Sequence, residues 1–317
     1  MSNLVFALNA TMPVFLVMVT GFVLRRIGVI SEDFASKMNR LVFIVALPVS
    51  QFRQTASTDL AEVWDTGFVL FCFFATLLSI IIAWFLSRFI KNHSERGEFI
   101  QVSYRSSAAL LGSAYLIGIY GNAEMLPLMI IGCVVLYNVI AVIVLETMKP
   151  EEAGKGTIDA KTRKRLVHGI VTNPILIGIA AGVIWALLRI PIPKILDSTL
   201  STIASLTTPM GLIAMGASIR PEEIRGELRD AGFATFIKLM LLSLIFTPIA
   251  AAVGFRGQKL VAILVMLGSP ATISCYVMAR NMGHKGNLTS NTILLSTLLG
   301  SGTMTVWIFL LRTFGWL

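Results

Sequence analysis

Charge is scarce in this chain: Asp, Glu, Lys and Arg make up 14% of its 317 residues, against about 25% in a soluble domain. Water is therefore not its main solvent. Cysteine and histidine number three each. Cys72, Cys133 and Cys275 stand singly inside apolar stretches, so neither a disulfide framework nor a paired-cysteine metal site is expected. His93, His168 and His284 are solitary and sit in polar connections. No metal ion and no cofactor is expected. Asp is missing from the apolar interiors: Asp33, Asp65, Asp159, Asp197 and Asp230 fall in connections or at ends, and Glu146 closes a stretch. With neither paired carboxylates nor a nucleophile beside a base there, an enzyme is not expected. Ion relays in membranes commonly use carboxylates, so coupling to H+ or Na+ has little to run on, although sodium can also bind hydroxyls and unwound carbonyls. Basic residues are absent before Arg25, which argues against a cleaved signal peptide.

What is abundant is apolar: 56% of the residues are hydrophobic. Apolar runs between charged breaks define ten stretches, at residues 4–24, 38–52, 66–89, 99–120, 126–145, 173–188, 195–219, 231–255, 260–282 and 288–311. Most are long enough to cross a hydrocarbon core of about 30 Å as helix. The second and sixth are short enough to be re-entrant or buried segments instead. The net charge of +9 does not point to nucleic acid, because its sources are scattered over short loops instead of gathered on one face. Of the 26 Lys and Arg, 18 lie in or beside the connections after stretches 1, 3, 5, 7 and 9, and 6 in the others. Basic loops face the cytoplasm, so the expected protein is a multi-pass protein of the cytoplasmic membrane with both termini outside. The polar stretch 149–172 divides the chain into repeats at 1–148 and 173–317, and its cluster Lys161, Arg163, Lys164 and Arg165 would face the cytoplasm, as an orientation signal or against anionic lipid. Five spans per half would make the halves inverted repeats.

Leu111-Gly112-Ser113-Ala114 and Leu267-Gly268-Ser269-Pro270 lie 156 residues apart inside apolar stretches. Gly and Pro weaken a helix, and loosened backbone survives in a bilayer only inside protein or beside a wet cavity. A matched pair of broken spans points to the binding site of a carrier. At this offset Leu111, Gly112, Ser113 and Tyr120 meet Leu267, Gly268, Ser269 and Tyr276, while Pro48 and Pro209 correspond at an offset of 161.

The chain also resembles the auxin efflux carrier family, which includes bacterial malonate and malate permeases. The likeness runs through Tyr104-Arg105-Ser106, Gly112 and Tyr120-Gly121, then Tyr137-Asn138 to Glu146, Asn173-Pro174-Ile175-Leu176, Pro209 to Ser218, and Ser269-Pro270-Ala271 with Met278-Ala279-Arg280. The resemblance implies an all-α membrane protein of ten helices in two inverted five-helix repeats, with the fourth and ninth broken where they cross. It implies a scaffold from the first two helices of each repeat, a moving bundle from the rest, homodimers, and organic carboxylates as substrates. The family usually has Asn at the place of Ser107 and Pro at that of Ala114, so Gly112-Ser113-Ala114 would have to break the fourth helix alone.

Helix N-termini at such breaks would attract an anion. Hydroxyls of Ser106, Ser107 and Ser113, and of Ser269, Thr272 and Ser274, are candidate substrate contacts, or else they bond their own helices. Gly112, Ala114 and Pro270 would shape the backbone. Arg105 either attracts anions into a vestibule or snorkels to an interface; Lys238 faces the same choice, with anchoring the simpler reading. Asn138 either ties helices together or touches the crossing region, and Gln51 could line the opposite sub-bundle. The expected activity is a secondary carrier for a small organic anion working by alternating access. The rivals are a carrier of neutral or zwitterionic solutes such as amino acids, and an ion channel.

Overall fold

The computed structural model describes residues 2–56, 64–148, 171–172, 174–218 and 228–317. The expected cytoplasmic connection, with its basic cluster, lies outside these except for residues 171 and 172, as do Asn173 and the end of the seventh stretch. Among the described residues the chain is helical, without strands. The helices are α1 Ser2–Arg26, α2 Glu32–Leu41, α3 Leu47–Ala56, α4 Thr66–Leu86, α5 Arg96–Tyr104, α6 Ala108–Tyr120, α7 Leu126–Thr147, α8 Pro174–Leu187, α9 Lys194–Ser205, α10 Thr207–Ala217, α11 Leu228–Phe236, α12 Leu242–Val253, α13 Gly257–Gly268, α14 Ser274–Asn281 and α15 Asn287–Thr313. Helix covers part of every stretch expected to span, and six segments are long and apolar enough to cross a membrane. The short second stretch is in fact helical from Glu32 to Ala56, started by Ser31, whose hydroxyl caps the Phe34 amide at 3.1 Å. Pro48 does not stop it: a π turn over Val42–Ala46 widens the ladder, and Leu47 N–H reaches back to Val42 O. A second π turn, Ile237–Leu241, joins α11 to α12 and carries Lys238.

Two groups of helices emerge from the packing. In one, α1 lies along α10 and α8 along α3, with α9 and α2 completing the set. The contacts run through glycines. A Cβ on Gly21 would fall on the backbone of Ile213, and one on Gly182 would meet Phe52 O and Thr55 Cβ. Each contact maps onto the other at an offset of 161, the spacing of Pro48 and Pro209. Small residues let membrane helices approach to backbone contact, so the two seams are built alike from both halves of the chain.

The second group comprises α4 to α7 and α11 to α15, and holds most of the core. Here α13 is buried without a break from Leu260 to Gly268, and α5 from Gly97 to Tyr104. From Leu260 on, α13 is apolar all round, as fits a helix enclosed by others, whereas α5 buries Glu98, Gln101 and Ser103 among its apolar residues. Asn3 Nδ2 donates to Thr313 Oγ1 at 3.4 Å and Gly257 N–H to Trp316 O at 3.1 Å, so the chain's beginning and end lie at one end of the bundle. There Asp65 caps the Phe68 amide at 2.9 Å and pairs with Lys259 at 2.6 Å.

Candidate functional site

Two interruptions meet in the middle of the second group. The fourth apolar stretch is helical to Tyr104, runs extended through Arg105, and turns helical again at Ala108. The ninth apolar stretch is helical to Gly268 and again from Ser274. Ser106 and Ala271 form an antiparallel bridge, and Ser107 N–H donates to Pro270 O at 2.9 Å. The expectation that Gly112-Ser113-Ala114 would break the fourth helix is therefore corrected. Gly112 sits inside the unbroken α6, where its missing side chain admits Leu126. Ala114 is ordinary core of the same helix, 7% exposed. The 156-residue correspondence does not hold for the breaks, because Gly112 is mid-helix while Gly268 ends one.

Chemistry explains where the backbone opens. Pro270 has no N–H to give to Met266 O, four residues back. That freed carbonyl instead accepts the Ser106 hydroxyl, and the Tyr137 hydroxyl at 3.0 Å. Ser106 Oγ and Tyr137 Oη are themselves 2.9 Å apart. The Ala271 amide, lost to the helix ladder, donates to Ser296 Oγ at 3.2 Å. Pro270 fits against Gly300 of α15, where a Cβ would collide with its ring. Each break thus supplies the partners that the other lacks.

Arg105 is 7% exposed and lies at the interruption itself, not a few turns away toward an interface. Its guanidinium donates to Asn138 Oδ1 at 3.0 Å and lies 3.4 Å from Met278 Sδ. Gln101 Nε2 approaches the same sulfur at 3.2 Å. Asn138 also bonds Val134 O at 2.9 Å, so it both braces its helix and orients the arginine. No carboxylate pairs with Arg105 among the described residues. Lys238 is not a membrane-face anchor: it is fully buried, with Nζ 2.7 Å from Leu267 O and 3.3 Å from Tyr104 O. Gly268 makes this approach possible, since a Cβ there would strike Ser243.

Of the sequence-predicted residues, Arg105, Ser106, Ser107 and Asn138 gather with the 269–272 segment. Ser106 is committed to holding the breaks together. Thr272 Oγ1 and Ser274 Oγ bond each other at 3.2 Å. Ser113 and Ser269 are buried with hydroxyls that bond nothing among the described residues. Gln51 is equally buried in α3, its amide without a partner among the described residues, and no contact among them brings it to the breaks. An open cavity of about 650 Å³ lies at the helix ends around Asp65, Asn122, Gln258 and Lys259, and no break residue lines it. Sequence reasoning missed Tyr137 and Met278 as parts of the site. Proline at 270 is the signal that predicts an orphaned carbonyl at 266 and hence a need for a donor.

Comparison with known proteins points to membrane transport. A family model described as "Membrane transport protein" matches residues 6–308. An "Uncharacterized transporter" of Methanothermobacter thermautotrophicus is 23% identical, covering 94% of this chain and 96% of its own length. "Uncharacterized transporter YfdV" of Escherichia coli K12 is 22% identical, over 98% and 99%. A protein of Rhizobium meliloti named "Putative malonate transporter" is 21% identical, over 95% of each chain.

Proposed function

This chain belongs to the auxin efflux carrier family of membrane transport proteins, and we propose that it is a secondary carrier of a small organic anion, a mono- or dicarboxylate, across the cytoplasmic membrane. The observation that carries this reading is Arg105: a buried guanidinium at the meeting of two broken helices, with no acidic partner among the described residues. A cation in mid-membrane costs about 2.5–3.5 kcal/mol on insertion scales and is kept for a reason. The first turn of α6 begins immediately after its break, and a helix N-terminus there adds partial positive charge. Arginine matches the planar geometry of a carboxylate with paired donors. The malonate named for the Rhizobium relative falls in the same chemical class.

Ten spans in two inverted halves, with both termini outside, remain our reading of the topology. The paired glycine seams support the inversion, and the shared end for the two termini fits an even number of spans. Alternating access is supported by the packing of α6, which touches α13 of its own group and α1 and α10 of the other. Sliding of the second group along the first would carry the breaks from one membrane face to the other. Homodimer formation belongs to the same proposal.

The test is a thermal-shift screen of purified protein against mono- and dicarboxylates, with neutral analogues as controls, followed by uptake of any hit into proteoliposomes. A carboxylate at about 100 times its Kd stabilises by about 2.7 kcal/mol. Arg105→Gln should abolish that shift and lower uptake, and Ser107→Ala should lower uptake to a smaller degree. Stabilisation by neutral analogues alone, or unchanged uptake in both variants, would sink the assignment.

A further inference from the structure

Carriers with broken helices present two kinds of end at the break. N-terminal ends favour anions, while C-terminal ends and unwound carbonyls favour cations and are where coupling sodium ions are held. In this chain the C-terminal ends are those of α5 and α13. Tyr104 O and Leu267 O belong to their last turns, whose carbonyls have no intrahelical donors. Both carbonyls accept from one group, the ammonium of Lys238, at 3.3 and 2.7 Å. Each helix C-terminus is equivalent to roughly half a negative charge. Two ends together present about one, and one ammonium balances it.

Three further observations fix the lysine in this position. It lies in a π turn, a distortion frequent at functional sites, which sets its backbone one residue out of the regular ladder. Gly268 lets α13 come against Ser243, in the turn after Lys238. No acid pairs with Lys238 among the described residues, so the helix ends are its counter-charge.

We propose that the Lys238 ammonium is the resident cation of this carrier: it stands at the helix ends where a sodium ion would otherwise be recruited. The site is therefore complete without a free metal cation, and solute movement is not driven by a sodium gradient. The transport arm of this inference rests on the anion-carrier reading; the cation arm does not.

The experiment separates the two. Purified protein is melted in sodium, lithium, potassium and choline chloride at equal ionic strength, and proteoliposomes are assayed for malonate uptake with and without a sodium gradient. The expected result is one melting temperature in all four salts and uptake changed less than about twofold by the gradient, against the tenfold that 1.4 kcal/mol of coupling would give. Lys238→Arg keeps a cation and should retain uptake. Lys238→Ala should lose it, and sodium or methylammonium should raise the melting temperature of this variant and not that of the parent. If the variant does not fold, the parent's cation series still decides. Sodium-specific stabilisation or sodium-driven uptake in the parent overturns the proposal, as does a Lys238→Met protein that melts and transports unchanged. A parent indifferent to sodium that moves no carboxylate leaves the resident cation standing and removes the anion reading.

Discussion

At the scale of single residues, the carbonyl of Met266 is the most informative atom. It accepts two hydroxyls, from Ser106 and Tyr137, so either can be lost while the other remains. Ser106→Ala and Tyr137→Phe should each cost about 0.5–1.5 kcal/mol, the usual net worth of a hydrogen bond. The double variant strips the carbonyl bare and should cost more than the two together, by about 1 kcal/mol or more. Melting curves of the four proteins form the cycle; strict additivity would mean that the two hydroxyls do not share this acceptor. Asp65 offers a pH test. Its carboxyl is held below the ordinary range by the Lys259 hydrogen bond first, then by the Phe68 amide. A depressed carboxylate contributes stability above its unfolded pKa, about 3.9, and loses it as pH falls through the folded value. The melting-temperature advantage over Asp65→Asn should be present at pH 6 and shrink steadily below pH 4. It will be modest, because the Asp65 side chain is 29% exposed and water screens the pair.

At the scale of elements, the final helix is held by an acid from elsewhere in the chain. Glu98, 1% exposed, accepts from the Gly286 amide at 2.8 Å and from the amide and hydroxyl of Thr289 at 3.2 and 2.9 Å. These donors lie at the start of α15, where a carboxylate also meets the favourable end of the helix dipole. Glu98→Ala should destabilise by about 1–3 kcal/mol or more, the cost of leaving buried donors unmet, while Glu98→Gln, which keeps one acceptor oxygen, should cost less. Equal melting temperatures for the two would contradict this. The element scale also marks what sequence reading could reach. Apolar runs marked where helix lies, because a bilayer imposes long apolar segments, and Pro270 marked the second break because proline cannot fill the ladder. The first break carries neither glycine nor proline: Tyr104-Arg105-Ser106-Ser107 opens because another segment, far along the chain, offers it better partners. Gly112 misled for the converse reason, since a glycine kept for close packing against Leu126 looks the same in sequence as one kept for bending. Met278 was legible as part of a family motif but not as the sulfur beside Arg105, because no periodicity links α14 to α5.

At the scale of the whole molecule, the packing makes a mechanical prediction. A Cβ on Gly211 of α10 would touch Leu110 of α6, so these positions sit across the seam between the two groups. Transport by sliding requires that contact to break and re-form. Cysteines placed at 110 and 211 and joined by a short bifunctional thiol reagent should stop uptake, with recovery when a cleavable linker is reduced. The native Cys72, Cys133 and Cys275 are buried, which keeps the background low. Full uptake with the link in place would exclude relative motion at this seam. The proposed substrate class rests on charge alone: Arg105 would favour an anion, while the span pattern says nothing of its size.

The glycine seams carry a consequence for biogenesis. The opening helix of each half seats on the second helix of the other, so during synthesis the N-terminal portion leaves the ribosome with its seam surface uncovered. It must wait in the bilayer for roughly as many residues again before its counterpart arrives. Such waiting intermediates are where multi-part proteins misassemble. A polypeptide severed in the hydrophilic linker and co-produced as two fragments should therefore reconstitute an active carrier, whereas the leading fragment made alone should be cleared by cellular quality control.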